Sequence, residues 1–411
     1  MTPAPEAGAL ARLSAEIAAG RPVGVAVSGG GDSSALLLML AEALGPESLR
    51  AATVDHGLRP ESAAEAESVA RFCAERGIAH ETLPWTGWDG RGNLQDAARR
   101  ARYRLLADWA AERDVAVVAL GHTRDDDAET FAMGLARGAG LDGLSGMRPA
   151  FALGSVAFLR PLLGVARAAL REYLTALGIG WIDDPSNDDP RFERVRVRRA
   201  LETFADAGID PERLARSIAN LRDVRSAVAE HLADWAGAHF RQQNGDLLVD
   251  AADLAALPRD FARRALSAAL RWVSGSDGAP RAEAVLRTLA ANRPAALTIH
   301  GCLVTFGDSV RVSREPAAAA RARPAAPGDL WDGRWRLTGA KRGEVRALSE
   351  EGLLRCPSWR ESGLPRPSLA ASPSLWDGGR LIAAPLANLA NGHRAELAGS
   401  RADFAGSFLS R

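Results

Sequence analysis

The chain has 411 residues, of which 47% are hydrophobic and 25% are charged, a composition typical of soluble globular proteins rather than of disordered segments. Its 51 Lys and Arg residues balance 51 Asp and Glu residues, which excludes a uniformly basic coat for nucleic acid but permits a local basic face. No apolar run reaches the ~20 residues that a membrane span needs. The length predicts two or three domains. Three scattered cysteines, Cys73, Cys302 and Cys356, are too few for a disulfide framework or a metal knuckle, so we expect a cytoplasmic protein.

The first half of the chain alternates short apolar runs with helical patterns. Strands are predicted at residues 23–27, 51–54, 78–83 and 115–120. Helices are predicted at residues 33–44, 61–76, 93–111 and 165–177. Such alternation is typical of βαβ units, and it predicts an α/β fold around a parallel sheet.

Beyond Phe204 the pattern becomes mainly helical. A long amphipathic helix is predicted around residues 214–235, followed by helices at 260–273 and 281–289 and by short strands at 297–305 and 310–312. The Ala- and Pro-rich segment 314–327 has the composition of a linker. After it, LWDGRWRL at 330–337 and LWDGGRLI at 375–382 each predict a β-hairpin with an Asp-Gly turn, and hence a small β-containing third domain.

The sequence SGGGDS, Ser28–Ser33, lies between the first predicted strand and its helix. Consecutive glycines let the backbone approach a bulky anion, and the helix N-terminus adds a positive dipole end, so the turn is a candidate phosphate cradle. The lysine of a Walker loop and the spacing of a dinucleotide fingerprint are both missing. Asp32 would repel phosphate unless a divalent cation stood between them, which makes it a candidate Mg²⁺ ligand. A plain glycine-rich turn with Ser33 capping the helix is the structural alternative.

SGGGDS resembles the PP-motif of N-type ATP pyrophosphatases, which transfer AMP to a substrate and release pyrophosphate. Further motifs narrow the resemblance: VDHGLR at 54–59, ARRARY at 98–103, GHTRDDDAET at 121–130, LDGLSGM at 141–147, RPLL at 160–163 and DPSN at 184–187. In this order and spacing, over roughly residues 20–200, they closely resemble the bacterial tRNA(Ile)-lysidine synthetase family.

The resemblance implies a parallel-sheet PP-loop ATP pyrophosphatase domain (adenine nucleotide alpha hydrolase-like) at 1–205, a mainly helical tRNA-binding domain at 206–313, and a small C-terminal domain at 328–411. It implies ATP and Mg²⁺ as cofactors, with tRNA(Ile) bearing a CAU anticodon and free L-lysine as partners. No membrane is involved, and a homodimer is compatible with the sequence. The implied reaction adenylates the C2 oxygen of the wobble cytidine, after which the lysine amine displaces AMP and leaves lysidine.

Residue by residue, the resemblance implies that the phosphates lie against the PP-motif and that four residues are catalytic. The nucleotide-binding residues would be Ser28, Gly29, Gly30, Gly31, Asp32 and Ser33, and the catalytic residues Asp32, Arg102, Asp126 and Glu129. Arg102 could neutralise the α-phosphate, and Asp126 and Glu129, three apart on a helix, could bind metal, lysine or the cytosine amino group. Without the resemblance, the three-Asp run would be an ordinary acidic helix start and Arg102 a solvated arginine. His56 and His122 are more often structural than catalytic at such strand ends.

Five arginines lie in RFERVRVRR, residues 191–199, with one acid among them. Beside a nucleotide site they are candidates for gripping the RNA backbone, and we assign Arg191, Arg194, Arg196 and Arg198 to tRNA binding. The spacing fits either a strand face or a helix face, and a solvated surface is the alternative.

Two other functions are compatible with the PP-motif. A tRNA thiolation enzyme would need reactive cysteines, usually as CxxC pairs, which this sequence lacks. A nucleotide-binding regulator without chemistry would release no pyrophosphate.

Overall fold

A computed structural model of the chain describes residues 3–57, 60–86, 88, 94–184, 189–276, 278–290, 296–339, 342–399 and 403–409. The chain divides into two compact units, Met1–Arg225 and Ser226–Arg411. Among the described helices, none is long and apolar enough to cross a membrane.

The first unit is built around a six-stranded sheet. Its strands are β1 (Val23–Ala26), β2 (Leu49–Asp55), β3 (Ala79–Pro84), β4 (Val117–Leu120), β5 (Ala150–Leu153) and β6 (Val156–Leu159). Its helices are α1 (Ala7–Ala18), α2 (Gly31–Leu44), α3 (Ser62–Ala74), α4 (Leu94–Glu112), α5 (Arg124–Ala136), α6 (Leu141–Leu144), α7 (Arg167–Ala176), α8 (Glu193–Phe204) and α9 (Pro211–His239), the last of which continues into the second unit.

The strand order is β3-β2-β1-β4-β6-β5. All neighbours are parallel except β5 and β6, which form an antiparallel hairpin at the edge. The chain winds outward from β1 through β2 to β3 and then restarts at β4 on the other side. Ligands of doubly wound sheets bind at such a switch point, outside the carboxyl ends of the strands, which here lies between β1 and β4.

Hydrophobic side chains on both faces of the sheet are buried. On one face Val25 packs with Leu36 and Leu40 of α2 and Leu170 of α7. On the other face Val118, Leu120 and Phe158 pack against Trp109 of α4. Burial on both faces explains why these strands are continuous apolar runs in the sequence. The predicted α/β class and parallel sheet are confirmed.

The second unit contains three antiparallel sheets. One has the order β7-β8-β11-β10-β9, from β7 (Arg241–Gln243), β8 (Asp246–Asp250), β9 (Ala296–Ile299), β10 (Cys302–Thr305) and β11 (Ser309–Arg314). The others are β12-β13-β17, from β12 (Leu330–Trp331), β13 (Trp335–Thr338) and β17 (Arg394–Leu397), and β14-β15-β16, from β14 (Glu344–Ala347), β15 (Pro373–Asp377) and β16 (Arg380–Ala383). The helices are α10 (Ala251–Ala256), α11 (Arg259–Ser274), α12 (Ala282–Ala290), α13 (Pro316–Ala320), α14 (Ser349–Leu353) and α15 (Arg366–Ala370).

Both predicted hairpins of the C-terminal region are present, each in a different sheet. The middle region carries the predicted helices, and beside them lies a five-stranded sheet of which only the strands at 297–305 and 310–312 were predicted. The strand predicted at 297–305 is two strands, since His300 and Gly301 turn the chain with positive φ angles. The segment predicted as a linker carries α13 and buries Ala319 in the core that contains Trp331. The three-domain division stays a prediction.

Candidate active site

The turn between β1 and α2 is shaped by two serines and one constrained glycine. Ser33 Oγ accepts a hydrogen bond from the Ser28 N–H at 3.1 Å and donates one to the Gly30 carbonyl at 3.0 Å. Gly29 has a φ of +82°, and a Cβ there would lie 2.6 Å from Ile182 Cδ1. A Cβ at Gly30 or Gly31 would make only ordinary contacts, the closest at 3.6 and 3.5 Å. The protein itself needs glycine only at Gly29, so the bare backbone at Gly30 and Gly31 leaves room for a bound anion.

A second glycine brings two strand ends together at this turn. Gly121 follows β4, and a Cβ on it would lie 2.9 Å from Ser33 Cα and 3.0 Å from the Ser33 nitrogen. Because these are backbone atoms at the start of α2, no side-chain movement could relieve the overlap. Because it has no side chain, Gly121 lets the motif at 121–130 lie close to the turn Ser28–Ser33, the candidate phosphate cradle.

The acidic run Asp125–Asp127 begins helix α5, and each carboxylate has a different task. Thr123 and Asp126 form a capping box in which Asp126 Oδ2 accepts from both the N–H and the hydroxyl of Thr123, each at 2.8 Å. Asp127 accepts the Met147 N–H at 2.5 Å and pairs with Arg222 at 2.7 Å, which braces the loop before β5. Asp126 thus caps the helix with one oxygen, as the helix-start alternative predicts, and its Oδ1 contacts Arg167; its catalytic role stays a prediction.

Arg167, the first residue of α7, joins the two motifs. Its guanidinium lies 3.2 Å from Asp32 Oδ2, 3.0 Å from Asp126 Oδ1 and 3.2 Å from Glu129 Oε1. Its backbone N–H donates to Asp125 Oδ2 at 2.8 Å. Carboxylates from α2 and from α5 therefore share one cation at the β1–β4 switch point.

Glu129 is the most buried carboxylate of this cluster, with a side chain only 2% exposed. Two arginines of α8 also bind it: Arg194 Nε lies 3.1 Å from Oε2, and Arg198 Nε lies 2.8 Å from Oε1. With Arg167, three guanidiniums surround one carboxylate. A charge this buried is stable only when it is paired and hydrogen-bonded. Arg167 and Arg198 donate hydrogen bonds to Oε1, whereas Oε2 is ion-paired with Arg194 but accepts no hydrogen bond among the described residues.

The pKa values of the two aspartates diverge. Burial raises the pKa of Asp32 to about 6, with the charge of Asp126 adding to the rise and Arg167 opposing it. Burial would also raise the pKa of Asp126, but Arg167, Arg194 and the Thr123 N–H outweigh it and hold that pKa below its usual range. Asp126 is thus a fixed anion, whereas the charge of Asp32 is the one that an additional cation would stabilise.

Asp32 fits a metal that is shared with substrate. In the part of the chain that the structure describes, no group of three or more His, Cys, Asp or Glu side chains is arranged to hold a metal ion by itself. Mg²⁺ is usually bound through one or two carboxylates together with substrate phosphates. A 24%-exposed Asp32 carboxylate beside a turn with room for phosphate matches that donor set.

The two histidines at the strand ends are poor bases. Burial, with the nearby charge of Arg102, lowers the pKa of His56 to about 4. Burial, with Arg160 donating to Nδ1 at 3.2 Å, lowers the pKa of His122 to about 3. Both rings are neutral at pH 7, in agreement with the structural interpretation of these residues.

Comparison with known proteins places these motifs in a family. The PP-loop domain model matches residues 7–203. Over 396 residues the chain is 48% identical to a protein named tRNA(Ile)-lysidine synthase from Ruegeria pomeroyi, covering 95% of this chain and 94% of that protein. The chain belongs to the tRNA(Ile)-lysidine synthase family. A protein of the same name from Methylobacterium nodulans is 41% identical over 71% of this chain and 90% of its own length.

Among solved structures, the U34-tRNA thiolase from Methanococcus maripaludis with its [4Fe-4S] cluster shares 19% identity with this lysidine synthase family member. The match covers 49% of this chain and 72% of the thiolase, with a TM-score of 0.42. A similarity this low carries no argument about the site.

Within this lysidine synthase fold, the predicted catalytic residues fall into two places. Asp32, Asp126 and Glu129 lie together around Arg167. Arg102, on α4, lies instead beside the end of β2, with its guanidinium 3.5 Å from His56 Nε2. Its catalytic role stays a prediction. Of the predicted motifs, Leu58, Arg59 and 185–187 lie outside the described residues.

The four arginines assigned to tRNA binding also separate, because they lie on a helix rather than a strand. Arg194 and Arg198 turn toward Glu129. Arg191 pairs with Asp189 at 2.6 Å with its side chain 85% exposed, and Arg196 donates to the Pro190 and Arg191 carbonyls, each at 2.8 Å. Their assignment to RNA stays a prediction; Arg191 and Arg196 are the exposed members of the four.

Arg167 is the functional residue that sequence reasoning missed. It stands at the first position of α7, where a cation is unfavourable against the positive end of the helix dipole. A cation in that position, four residues after the RPLL motif, is the signal that could have found it, since an unfavourable charge at a helix start indicates an anionic partner elsewhere.

Proposed function

We propose that this protein ligates L-lysine to C2 of the wobble cytidine of tRNA(Ile) with a CAU anticodon, through an adenylated tRNA intermediate, forming lysidine and releasing AMP and pyrophosphate. The change alters codon recognition from AUG to AUA. The observation that carries the proposal is the 48% identity to a tRNA(Ile)-lysidine synthase along nearly the full length of both chains. ATP and tRNA as substrates make the cytoplasm the expected location, and a homodimer stays a prediction.

The first step is adenylation of the cytidine C2 oxygen. The backbone of Ser28–Ser33 would hold the β- and γ-phosphates at the N-terminus of α2, where bare glycine backbone faces the anion. Asp32 would hold Mg²⁺, which neutralises phosphate charge when it is bound. Arg102 would neutralise the α-phosphate, and its exposed side chain is free of any carboxylate among its described hydrogen bonds. Positioning and electrostatics supply most of the rate in such transfers.

The second step is attack by the lysine amine on the activated C2, with AMP leaving. Asp126 and Glu129 are the carboxylates proposed to receive the lysine ammonium or the cytosine amino group. Glu129 already holds three guanidiniums. Its Oε2 accepts no hydrogen bond among the described residues, so an incoming ammonium would bind there and displace Arg194, whose side chain is 34% exposed.

The buried cysteines argue against the thiolation alternative. Burial raises the pKa of Cys73 to about 11 and that of Cys302 to about 12, and it also raises the pKa of Cys356. Sulfur transfer needs a thiolate that substrate can reach. All three thiols are buried, and no two of them share a hydrophobic cluster.

The test is direct detection of lysidine. The protein is incubated with ATP, Mg²⁺, L-lysine and tRNA(Ile) transcript, and the nucleosides are analysed by mass spectrometry. We expect lysidine in tRNA(Ile) and none in an elongator tRNA(Met) transcript, which shares the CAU anticodon. Asp32→Asn should fold normally and form none. Omitting lysine should accumulate an AMP-linked tRNA, detected with α-labelled ATP. A protein that only binds nucleotide would release no pyrophosphate. If the wild-type protein releases none in this assay, the proposal is contradicted.

A further inference from the structure

A basic cavity is lined in part by Arg160, whose guanidinium contacts His122. Its volume is about 240 Å³, and it is lined by Arg99, Tyr103, Arg148, Phe151 and Arg160. Sites for whole small molecules are usually ~300–1,000 Å³. This cavity is therefore sized for part of a larger ligand. Arg99 and Tyr103 come from α4, Phe151 comes from β5, and Arg160 follows β6.

Arg160 is the unusual member, because it is a buried guanidinium whose hydrogen-bond partners are all neutral, with the charge of Asp127 acting on it outside ion-pair distance. It is 6% exposed, and its hydrogen bonds go to His122 Nδ1, the Arg148 carbonyl and the Tyr103 hydroxyl. In the part of the chain described here, no carboxylate pairs with Arg99, Arg148 or Arg160. Buried charges are normally paired. Arg160 is buried without an ion-pair partner and lines the cavity together with the exposed Arg99 and Arg148, which indicates a place for an anion that the protein does not supply.

The geometry of Arg160 suits an anion that carries two or more acceptor oxygens. Guanidinium has five N–H donors, of which three are used by the protein. The guanidinium packs on Phe151, with Arg160 Cζ 4.7 Å from the centroid of the Phe151 ring. That ring stacks on the Phe158 ring, with the two centroids 5.0 Å apart. A rigid guanidinium with spare donors is the arrangement that proteins use for phosphate.

The position of the cavity favours RNA over the reacting nucleotide. The phosphate turn follows β1, whereas the cavity lies beyond β4, at the β6 and β5 side of the sheet. Arg148 also adds to a wider basic surface, since its charge and that of Arg222 help burial to lower the pKa of Arg225. Arg222 is paired with Asp127, so the further positive charge near Arg148 is that of Arg225, and neighbouring guanidiniums suit a polyanion better than a single phosphate.

Resting on the function proposed above, we propose that this cavity binds a backbone phosphate of an unpaired anticodon-loop nucleotide next to the cytidine that reacts. Single-stranded loops can present an isolated phosphate to a pocket, and a guanidinium plane can stack on the splayed base beside it. Arg160 connects the phosphate to His122 and thus to the edge of the carboxylate cluster. The cavity would fix the register in which the target base enters the site.

The test uses the two exposed arginines, because Arg160→Gln risks unfolding. Arg99→Ala and Arg148→Ala are compared with wild type for binding of the tRNA(Ile) anticodon stem-loop over a range of KCl concentrations. Arg104→Ala, an exposed arginine on the same helix, is the control. Each cavity variant should bind several-fold more weakly and lower the salt slope by about 0.7, whereas Arg104→Ala should change neither. The KM for ATP should stay within about twofold of wild type.

Three outcomes would overturn the proposal. Unchanged stem-loop affinity and slope would mean that the cavity does not meet RNA. A raised KM for ATP with unchanged RNA affinity would assign the cavity to the nucleotide phosphates. An equal loss of affinity for a blunt duplex of the same stem would reduce it to a general polyanion surface. If wild-type protein forms no lysidine, the proposed function fails, but the binding measurements still decide whether the cavity takes a loop phosphate.

Discussion

Removing Arg167 should destabilise the first unit more than removing any surface arginine. Its guanidinium is only 16% exposed and touches Asp32, Asp126 and Glu129, whose side chains are 24%, 13% and 2% exposed. Arg167→Ala would leave these three carboxylates without their shared cation. Breaking a buried ion pair on one side costs about 3–5 kcal/mol, because the remaining charge stays desolvated.

The remaining contacts decide where in that range the cost falls. Glu129 would keep Arg194 and Arg198, and Asp126 would keep the Thr123 hydrogen bonds that cap α5. Asp32 alone would lose its ion-pair partner, and water can reach it. We therefore expect the low end, about 3 kcal/mol. For a cooperative unit of ~150–250 residues, each kcal/mol lowers the Tm by about 2–4 °C, which predicts a fall of roughly 6–12 °C.

The assay is thermal unfolding by differential scanning calorimetry, with Arg12→Ala as the control because Arg12 is an exposed arginine on α1. That control should change the Tm by no more than about 1 °C. Arg167→Lys should be intermediate, since a single ammonium cannot contact three carboxylates as a planar guanidinium does. Mg²⁺ should raise the Tm of Arg167→Ala more than that of wild type. A Tm for Arg167→Ala within 2 °C of wild type would refute the idea that this cation holds the cluster together.

Three further predictions concern the glycines of the site, the buried cysteines and the arginines of α8. Gly121→Ala should lower the Tm because its Cβ would meet backbone atoms of Ser33 at 2.9 and 3.0 Å, whereas Gly30→Ala should fold normally and lose ATP affinity, measured by calorimetric titration. Iodoacetamide at pH 8 should label none of the three cysteines until denaturant is added, since their thiols are buried and their pKa values are raised; rapid labelling of native protein would reopen the thiolation alternative. Arg191→Ala with Arg196→Ala should lower the salt slope of tRNA binding by about 0.7–0.9 per lost phosphate contact without changing the Tm. Arg194→Ala should instead lower the Tm, because it removes one of the three guanidiniums around the buried Glu129.

The parallel sheet was predictable because its strands are buried on both faces and stand out as apolar runs. Helix periods were equally clear, and α4, predicted at 93–111, is Leu94–Glu112. The hairpins of the middle region were harder to predict from the sequence, because their strands are only three to six residues long. One of them had a usable signal: Asn244 and Gly245, both with positive φ, form the Asn-Gly turn between β7 and β8.

The site was predictable where a motif is local and unpredictable where the fold brings distant residues together. The turn at Ser28–Ser33 and the capping of α5 depend on neighbours within a few residues. Arg167 is 135 residues from Asp32 and 41 from Asp126, and no local pattern links them. The inward turn of Arg194 and Arg198 was equally hidden, because an arginine run looks the same whether it faces RNA or a buried glutamate.

The zero net charge of the chain conceals a separation of charge that matters for a polyanionic substrate. In the carboxylate cluster, Asp32, Asp126 and Glu129 are matched by Arg167, Arg194 and Arg198, so this cluster presents little net field to an approaching RNA. The arginines of the cavity beyond β4 have no such partners among the described residues. On the proposal made above, attraction for a phosphate backbone would come from the cavity arginines, which form no ion pair among the described residues, rather than from the neutralised carboxylate cluster. The net charge of the chain adds the paired charges of the cluster to the charges of the cavity arginines. Composition could therefore exclude a uniformly basic coat but could not reveal a basic cavity.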